Sequence, residues 1–384
     1  MRLLYLPIIL MILQTPVGSC RSNAKLVEIE WKEPVTLPAY QDGNSIGIAG
    51  PVTGIIDDLF LVGGGANFPQ KLPWEGGKKQ YQEELHLYQL TEGGDCIYWK
   101  TIRLPELTSY GCSYSTSKGL VLAGGEGANG ISSAVWLLGK THTGITVKAL
   151  PELPIPLTNA AGTAIQNQLF IAGGETSTGM NNRFFSFSLN DPSQGWLELP
   201  SLPYAVSHAV LQARSVNGRQ ELILAGGRAR NGTDTSQLYA ETWAYSLDHR
   251  TWKKLGKLPY ALAAAQAIKM KDENILLLGG DDGSTFTQVE KLLGAIQHER
   301  DSTKRVELIH KKNELQRNHP GFRKELLVLP AHESQWQFAG SVPFDAPVTT
   351  ILIWWNNNLL LPSGEIRAGI RSPYIQIGQL NRSR

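Results

Sequence analysis

Charged residues are scarce in this 384-residue chain, where Asp, Glu, Lys and Arg make up 18% of the total, against about a quarter in typical soluble domains. Positive and negative charges nearly cancel, with a formal net charge of +2 and no long basic run. This balance gives no support to nucleic-acid binding. Low charge together with many glycines and aromatic residues also argues against disorder and coiled coils, and favours many short strands with tight turns.

Cysteine is nearly absent, with three residues in the whole chain. Three cysteines exclude a disulfide scaffold, and no Cys/His cluster has the spacing of a zinc site. We therefore expect neither a metal nor a cofactor. Cys96 and Cys112 are expected to lie at opposite faces of the fold as free thiols.

Long hydrophobic runs are also missing, apart from one apolar stretch at residues 3–13. It is too short for a membrane span and is typical of a secretory signal. Residues 17–20 read VGSC, which resembles a bacterial lipobox. We predict that residues 1–19 are a lipoprotein signal peptide and that lipidated Cys20 tethers a periplasmic protein to a membrane, its only membrane contact. The alternative is an ordinary signal peptide cut near Ser19.

What the chain has instead is a repeat. Five segments contain an apolar run followed by a Gly pair, and a degenerate sixth reads NLLLPSG at residues 358–364. The five complete segments span residues 58–64, 119–125, 168–174, 221–227 and 274–280. An aromatic or β-branched run follows each, then a run that often holds Trp and ends in Leu-Pro. A small-residue strand leads into the next Gly pair, which makes four strands per unit.

This pattern resembles kelch repeats, whose four-stranded blades form β-propellers. One such sheet cannot bury both faces, whereas blades packed radially can. We predict an all-β fold, a six-bladed kelch-type β-propeller that occupies residues 20–384 as a single domain. The last unit supplies only three strands, so we predict that residues 25–35 complete it by pairing with residues 372–380.

Two of the Gly-pair loops are long, at residues 65–83 and 281–323. Both should extend the same mouth of the central channel. Within the second loop, residues 288–316 have the apolar spacing of an amphipathic helix, so we predict a helical insertion at about residues 285–320. Long loops in compact domains are usually functional or disordered. We interpret these two as walls or a lid over a pocket, the alternative being a solvated insertion.

The degenerate sixth loop, residues 364–371, reads GEIRAGIR. It resembles the loop that carries the proposed catalytic Glu and Arg in the N-acetylneuraminate (sialic acid) epimerase/mutarotase family, whose members are periplasmic six-bladed kelch propellers. GGGANFP at 63–69, PWEGGKKQY at 73–81 and the permuted order resemble a cyclically permuted branch of that family. The resemblance covers residues 25–384. It departs at Ser363, where the family has Gly, and we expect this only to shift the bend of the loop.

The resemblance implies mutarotation of a 2-keto sugar acid, with Glu365 and Arg371 as the catalytic residues. Ring opening needs one group to take the anomeric hydroxyl proton and another to protonate the ring oxygen. Glu365 suits the first role, and Arg371 suits a permanently charged clamp for the sugar carboxylate. The acid is left to water or another side chain. Alternatively, Glu365 and Arg371 form a simple loop salt bridge, or Arg367 replaces Arg371.

Further mouth residues lie beside the Gly pairs and are candidates for contact with a small sugar acid. Each is also explained by a hydrogen bond within its own loop. The substrate-binding candidates are Asn67, Glu126, Arg228, Asp281 and Arg367, and Glu175 is a further mouth residue.

Two rival functions compete with an isomerase. A non-catalytic kelch propeller would bind protein or glycan and would tolerate loss of Glu365. A copper radical oxidase of the galactose-oxidase kind needs a Tyr–Cys crosslink and two His ligands, and the eight histidines show no such grouping. The sequence indicates no oligomeric state.

The lipobox interpretation predicts that the Cys20→Ser protein loses its membrane association, because no thiol remains to be lipidated. Fractionation of cells followed by detection of precursor and mature forms measures this. Cys96→Ser is the matched control, since that thiol belongs to the fold. Normal processing and membrane partitioning of the Cys20→Ser protein would contradict the lipoprotein prediction.

Overall fold

The structure is a computed structural model of the chain, and it describes residues 27–39, 43–106, 108–142, 144–230 and 235–380. The predicted signal peptide and Cys20 lie outside these ranges. No helix within them is both long and apolar enough to cross a membrane.

Five four-stranded antiparallel sheets and one sheet whose outer edge is shared by two short strands form the six blades of a β-propeller, which confirms the predicted fold. Each blade runs from an inner strand to an outer one. Blade 1 is Val52–Ile56, Leu59–Gly63, Glu84–Leu90 and Cys96–Arg103; blade 2 is Cys112–Thr116, Gly119–Ala123, Val135–Lys140 and Ile145–Leu150; blade 3 is Ala161–Ile165, Gln168–Ala172, Phe184–Ser188 and Leu197–Leu199. Blade 4 is Val210–Val216, Arg219–Ala225, Glu241–Ser246 and Thr251–Lys257; blade 5 is Gln266–Lys269, Ile275–Leu278, Glu325–Leu329 and Gln337–Ser341.

Blade 6 combines the two ends of the chain. Its strands Ile353–Trp355, Asn358–Pro362 and Tyr374–Leu380 come from the C-terminal side, and Ile29–Trp31 and Val35–Thr36 form its outer edge. Ile29 pairs with Leu380 and Thr36 pairs with Tyr374, all antiparallel. The predicted closure of the ring is therefore confirmed, with shorter strands than the sequence suggested.

The core lies between the blades. Each of six clusters of buried apolar side chains joins two neighbouring sheets, and none is confined to one. Phe60 of blade 1, for example, packs with Leu360 of blade 6. Because each blade covers both neighbours, the apolar second strands of the repeats are buried on both faces, which explains why they read as unbroken hydrophobic runs.

The Gly pairs are required by a close approach between blades. Gly173 has φ +63°, and a Cβ there would lie 2.3 Å from the carbonyl oxygen of Val206 in the loop to the next blade. The following glycine, Gly174, donates its N–H to that same oxygen at 2.8 Å. Blades 1, 2 and 4 repeat the arrangement. In blade 1 the equivalent pair is the second and third glycine of the Gly63–Gly64–Gly65 run.

Blade 6 meets the same constraint with Ser363, which adopts φ +51°. Its hydroxyl accepts the Ile48 N–H at 2.8 Å and lies within hydrogen-bond distance of the carbonyl oxygens of Ile48 and Ser372. The side chain is fully buried. The departure from Gly-Gly therefore keeps the bend, and the hydroxyl bonds to the backbone of the neighbouring segment.

Short two-stranded ribbons continue five of the blades beyond their Gly pairs. Together they surround one mouth of the channel, and we call this end the crown. They are Ala66–Asn67 with Gln80–Tyr81, Glu126–Gly127 with Gly130–Ile131, Glu175–Thr176 with Gly179–Met180, Arg228–Ala229 with Gln237–Leu238, and Glu365–Arg367 with Ile370–Arg371. A 3-10 turn, Pro73–Glu75, lies within the first of these loops, and another, Pro192–Gln194, lies in blade 3.

Blade 5 carries two helices in place of a ribbon, α1 (Ser284–His298) and α2 (Ser302–Arg317). The helical insertion is thus confirmed, but as a pair. Asp301 separates the helices because its carboxylate accepts the N–H groups of Thr303 and Lys304 and begins α2. The apolar side chains of the two helices do not enter the hydrophobic core, and no residue of either helix is buried. The helices pack instead on one another and on the mouth loops.

The thiols of Cys96 and Cys112 are free and buried, as predicted. Burial raises the pKa of each to about 12. Neither thiol is therefore a reactive nucleophile in the folded protein.

Closure of the ring predicts a specific sensitivity at Gly378, where a Cβ would lie 2.5 Å from Ile29 Cγ2 and 2.9 Å from the Trp31 ring. We expect Gly378→Val to push the N-terminal strand away and to lower the free energy of unfolding by about 1–3 kcal/mol. Chemical or thermal denaturation measures this. Gly93→Val is the matched control, since a Cβ there meets nothing closer than 3.7 Å. Equal stability of the two variants would contradict closure through this strand pair.

Candidate functional site

A cavity of about 480 Å³ opens at the crowned mouth of the channel. Two equivalent positions in each of blades 2 to 6 build its floor, whereas their blade 1 counterparts, Ala66 and Gly50, do not line it. One is the residue after the Gly pair, and the other is the residue just before the inner strand, which has φ between +53° and +58° in blades 2 to 6. The first set is Ala66, Glu126, Glu175, Arg228, Asp281 and Glu365; the second is Gly50, Tyr110, Asn159, His208, Ala264 and Thr349.

The second set is linked by backbone hydrogen bonds from blade to blade. Tyr110 N–H donates to the Gly50 carbonyl, Asn159 N–H to the Tyr110 carbonyl and His208 N–H to the Asn159 carbonyl, at 2.9 to 3.0 Å. A non-glycine residue in this left-handed region costs about 1–3 kcal/mol. The linked backbones hold these side chains around the channel axis in spite of that strain.

Glu365 and Arg371 face one another across the blade 6 ribbon, where they are paired in register. The Arg371 Nη2 to Glu365 Oε2 distance is 3.6 Å, which is an ion pair but too long for a hydrogen bond. Glu365 Oε1 accepts the N–H of Gly369 at 2.8 Å. The carboxylate is 22% exposed and lines the cavity, so one ribbon presents a fixed acidic group beside a fixed cation.

The Arg371 guanidinium is held in a protein-lined slot, with its side chain 4% exposed. Its Cζ lies 4.8 Å from the centre of the Phe68 ring. Within the described part of the chain, Nε and Nη1 find no hydrogen-bond acceptor. Buried charge with unused donors is costly, and an anionic group of a ligand at this wall of the cavity would satisfy it.

A second cation, Lys79, comes from the long blade 1 loop. Its Nζ forms a short ion pair with Glu126, and Tyr81 donates a hydrogen bond to the same carboxylate at 2.9 Å. Burial alone would lower the pKa of Lys79, but the hydrogen bonds to Glu126 and Tyr81 raise it on balance. The ammonium therefore keeps its proton, and it lies 5.3 Å from the centre of the Tyr110 ring.

Glu175, Ser207 and His208 form a hydrogen-bonded group on the floor. Ser207 Oγ donates to Glu175 Oε1 at 2.8 Å and lies 3.0 Å from His208 Nδ1. Burial and the nearby Arg228 charge lower the pKa of His208, so its ring is neutral near pH 7. Burial would raise the pKa of Glu175, but its hydrogen bonds to His208 and Ser207 lower it, so the carboxylate is charged.

Arg228 and Asp281 mark the side of the cavity beneath α1. The Arg228 Cζ lies 4.4 Å from the centre of the Phe286 ring. Asp281 Oδ1 accepts the N–H of Gly283 at 2.8 Å, and burial raises the pKa of Asp281 in spite of that bond. This side combines an aromatic face with polar groups, a combination common in sugar-binding sites.

His319 follows α2 and is buried on the cavity wall. Its Nδ1 accepts the N–H of Gly321 at 3.0 Å, which places the proton of the neutral ring on Nε2. Burial lowers the pKa of His319, while Asp281 and Glu365 oppose that shift. A neutral N–H donor therefore lies close to both carboxylates.

The two long loops meet over the cavity. On one side, Glu290 of α1 accepts hydrogen bonds from the N–H and the hydroxyl of Ser236 in the blade 4 ribbon loop, at 2.7 and 2.8 Å. On the other, Asn313 of α2 donates to the Trp74 carbonyl of the blade 1 loop at 3.1 Å. The helix pair thus spans the mouth from blade 4 to blade 1 and forms part of the cavity wall.

Most of the residues singled out in the sequence come together here, and two do not. Glu126, Glu175, Arg228, Asp281, Glu365 and Arg371 all line the cavity. Asn67 is instead buried behind it, where its amide donates to the Gly47 carbonyl and accepts from Gln82. Arg367 lies at the exposed ribbon tip and pairs with Asp345 at 3.2 Å. Both are corrections: hydrogen bonds hold Asn67 behind the cavity, and a register shift between Glu365 and Arg367 breaks the alternation that would put those two side chains on one face.

Sequence reasoning missed Lys79, Tyr110 and His319. Lys79 and His319 lie in loops with no repeat to align. Tyr110 had a signal, because it occupies the position just before an inner strand that His208 occupies in blade 4. Aligning the repeats at the inner strands as well as at the Gly pairs would have found it.

In the described ranges no group of three His, Cys, Asp or Glu residues is arranged to hold a metal ion. What the geometry offers is a carboxylate beside an arginine, a half-buried phenol and a neutral imidazole, at the mouth of a kelch-type propeller. Fold and site together define a kelch-type propeller with a mouth cavity lined by titratable side chains.

The family can be named more closely. A family model described as N-acetylneuraminate epimerase matches residues 150–384, which is more than half of the chain. The chain therefore belongs to the N-acetylneuraminate epimerase family.

Individual relatives are distant. An N-acetylneuraminate epimerase of Brucella melitensis biotype 1 is 24% identical over 251 residues, 64% of this chain and 62% of the relative. One from Salmonella enteritidis PT4 is 26% identical over 228 residues, 59% of this chain and 57% of the relative. The match thus spans about six-tenths of these relatives. A solved structure described as that of YjhT has 20% identity and a TM-score of 0.48, over 58% of this chain and 62% of the other.

Proposed function

We propose that the protein accelerates the interconversion of the α and β anomers of N-acetylneuraminate or a closely related 2-keto sugar acid. The observation that carries this proposal is the blade 6 ribbon, which presents Glu365 and Arg371 side by side on the wall of a cavity large enough for one monosaccharide. Membership in the epimerase family supports the choice of substrate.

Arg371 binds the substrate carboxylate in this proposal. A guanidinium presents its N–H donors in a plane that matches a carboxylate, and Nε and Nη1 lack acceptors among the described residues. The Phe68 ring against its face holds the group in one orientation. Because the sugar carboxylate is attached to the anomeric carbon, this contact brings that carbon to the Glu365 side of the cavity.

Glu365 is the base. Its Oε1 is tied to Gly369, so Oε2, which faces Arg371, is the oxygen free to accept a proton. It takes the proton of the anomeric hydroxyl as the bond between the anomeric carbon and the ring oxygen breaks. The ring oxygen gains a proton from water or from another side chain of the cavity, and an open-chain ketone results.

The second anomer forms by the reverse steps. The carbonyl presents its opposite face and the chain hydroxyl adds to it, giving its proton back to the donor that protonated the ring oxygen, while Glu365 returns its proton to the carbonyl oxygen. No atoms are gained or lost, and no redox partner is needed. The neighbouring cation, Arg371, stabilises the negative charge that develops on the oxygens of the reacting carbon.

We further propose that the chain works outside the cytoplasm as a periplasmic lipoprotein. The support is in the sequence, where an apolar run at residues 3–13 is followed by VGSC at residues 17–20.

The base assignment predicts that Glu365→Gln slows anomer exchange by about 10²- to 10⁴-fold, the usual contribution of general acid–base catalysis, while most of the affinity remains. Proton NMR of freshly released α-N-acetylneuraminate follows the exchange, and calorimetry follows binding. Glu333→Gln, at an exposed turn of blade 5, makes the same chemical change away from the cavity. Two results would contradict the proposal. One is anomer exchange with the parent protein that is no faster than in buffer alone, and the other is a Glu365→Gln protein that keeps the full rate of anomer exchange.

The clamp assignment predicts that Arg371→Ala chiefly weakens binding, by about 1.5–3 kcal/mol for a lost charge-assisted contact. A sugar that lacks the carboxylate should bind poorly to the parent and be almost insensitive to this change. Arg367→Ala, on the same ribbon but paired with Asp345, should alter affinity little. A larger loss for Arg367→Ala than for Arg371→Ala would transfer the clamp to Arg367.

A further inference from the structure

Ring opening needs a proton donor for the ring oxygen as well as a base, and Glu365 supplies only the second function. The donor must line the same cavity, carry a proton near pH 7 and tolerate its loss for the lifetime of the transition state. Tyr110, His319 and Lys79 all line the cavity with Glu365. If the protein catalyses the proposed mutarotation, one of these three residues is the proton donor that acts together with Glu365.

Lys79 and His319 each fit one requirement poorly. Lys79 is paired with Glu126, and that pairing holds its proton in place. His319 is neutral because burial lowers its pKa, and the Gly321 N–H occupies its Nδ1. Its remaining Nε2 proton is that of a neutral imidazole, which leaves far less readily than the proton of a phenol.

Tyr110 meets all three requirements. Its backbone lies in the left-handed region, with φ +58°, and is tied to Gly50 and Asn159 on either side. The residue therefore lies at the boundary between this cavity and the channel below it, and it lines both. Glu365 and Arg371 line the same cavity as Tyr110.

Two cations of the cavity would stabilise a phenolate at Tyr110. The Lys79 ammonium lies 5.3 Å from the ring centre, and the charge of Arg371 opposes the rise in the pKa of Tyr110 that burial causes. Burial raises the pKa of Tyr110, so the phenol stays protonated at rest. When the proton moves to a ligand, the two cations stabilise the phenolate that remains.

The geometry points to Tyr110 as the general acid of the site, its Oη–H protonating the ring oxygen of the sugar while Glu365 deprotonates the anomeric hydroxyl. One proton leaves Tyr110 for the ring oxygen, one proton leaves the anomeric hydroxyl for Glu365, and the bond between the anomeric carbon and the ring oxygen breaks. On reclosure the chain hydroxyl returns its proton to Tyr110, and Glu365 returns its proton to the carbonyl oxygen. Both side chains regain their starting forms.

The test compares Tyr110→Phe with Tyr114→Phe in the full-length chain. Tyr114 lies four residues further along, on the inner strand of the same blade, outside the cavity, and its hydroxyl bonds to the Phe170 carbonyl. We expect Tyr110→Phe to lower kcat for anomer exchange by about 10²- to 10⁴-fold with KM and the calorimetric affinity nearly unchanged. We expect Tyr114→Phe to keep kcat and to lose only stability.

Three outcomes separate the possibilities. A parent that does not exchange anomers overturns the proposed function itself. A parent and a Glu365→Gln variant that behave as expected, with full kcat in Tyr110→Phe, overturn only the assignment of the acid. A loss of kcat in His319→Gln that exceeds the loss in Tyr110→Phe would also overturn it and would give the role to the imidazole. Circular dichroism and the unfolding midpoint establish that each variant is folded.

Discussion

The structure depends on one close contact, repeated around the ring, between a Gly pair and the carbonyl oxygen of the incoming loop of the next blade. At Gly173 and Gly174 this contact leaves no room for a Cβ and provides a hydrogen bond of 2.8 Å. It sets the spacing between blades at the mouth, so the apolar clusters between the sheets can close. Ser363 preserves it in the last blade by bonding to the Ile48 backbone.

The same contact positions the chemistry. Directly after the Gly pair the chain turns over the mouth, so the next side chain lines the cavity in blades 2 to 6. Glu365 occupies that position in blade 6 and Arg228 in blade 4. One repeat geometry therefore delivers five side chains to a common cavity, and substitutions at equivalent positions change its chemistry without changing the sheets. The strained backbone at Tyr110 and its equivalents adds a second inner ring.

Sequence alone predicted what the repeat determines and missed what separate loops determine. The blades, the terminal closure and the rim position of Glu365 follow from local patterns whose spacing is regular. Asn67 was misplaced because its amide bonds to the Gly47 carbonyl, and Arg367 because a register shift in the ribbon separates it from Glu365. No pattern in the sequence shows either feature. The apolar spacing of the insertion predicted helices correctly, yet Leu293 and Val306 remain about half exposed, because amphipathic spacing does not specify a partner. Lys79 and His319 reach the site only through tertiary contacts.

The way the chain enters blade 6 also sets the direction in which the cavity faces. Ile29 pairs with Leu380 at the end of the outer strand far from the crown, and Thr36 pairs with Tyr374 beside the ribbon that carries Glu365 and Arg371. The first described residues therefore lie on the face opposite the mouth, and the chain runs from there towards it. An attachment made through the chain ahead of Val27 would therefore reach the described fold on the face opposite the mouth, and the cavity would open away from the point of attachment.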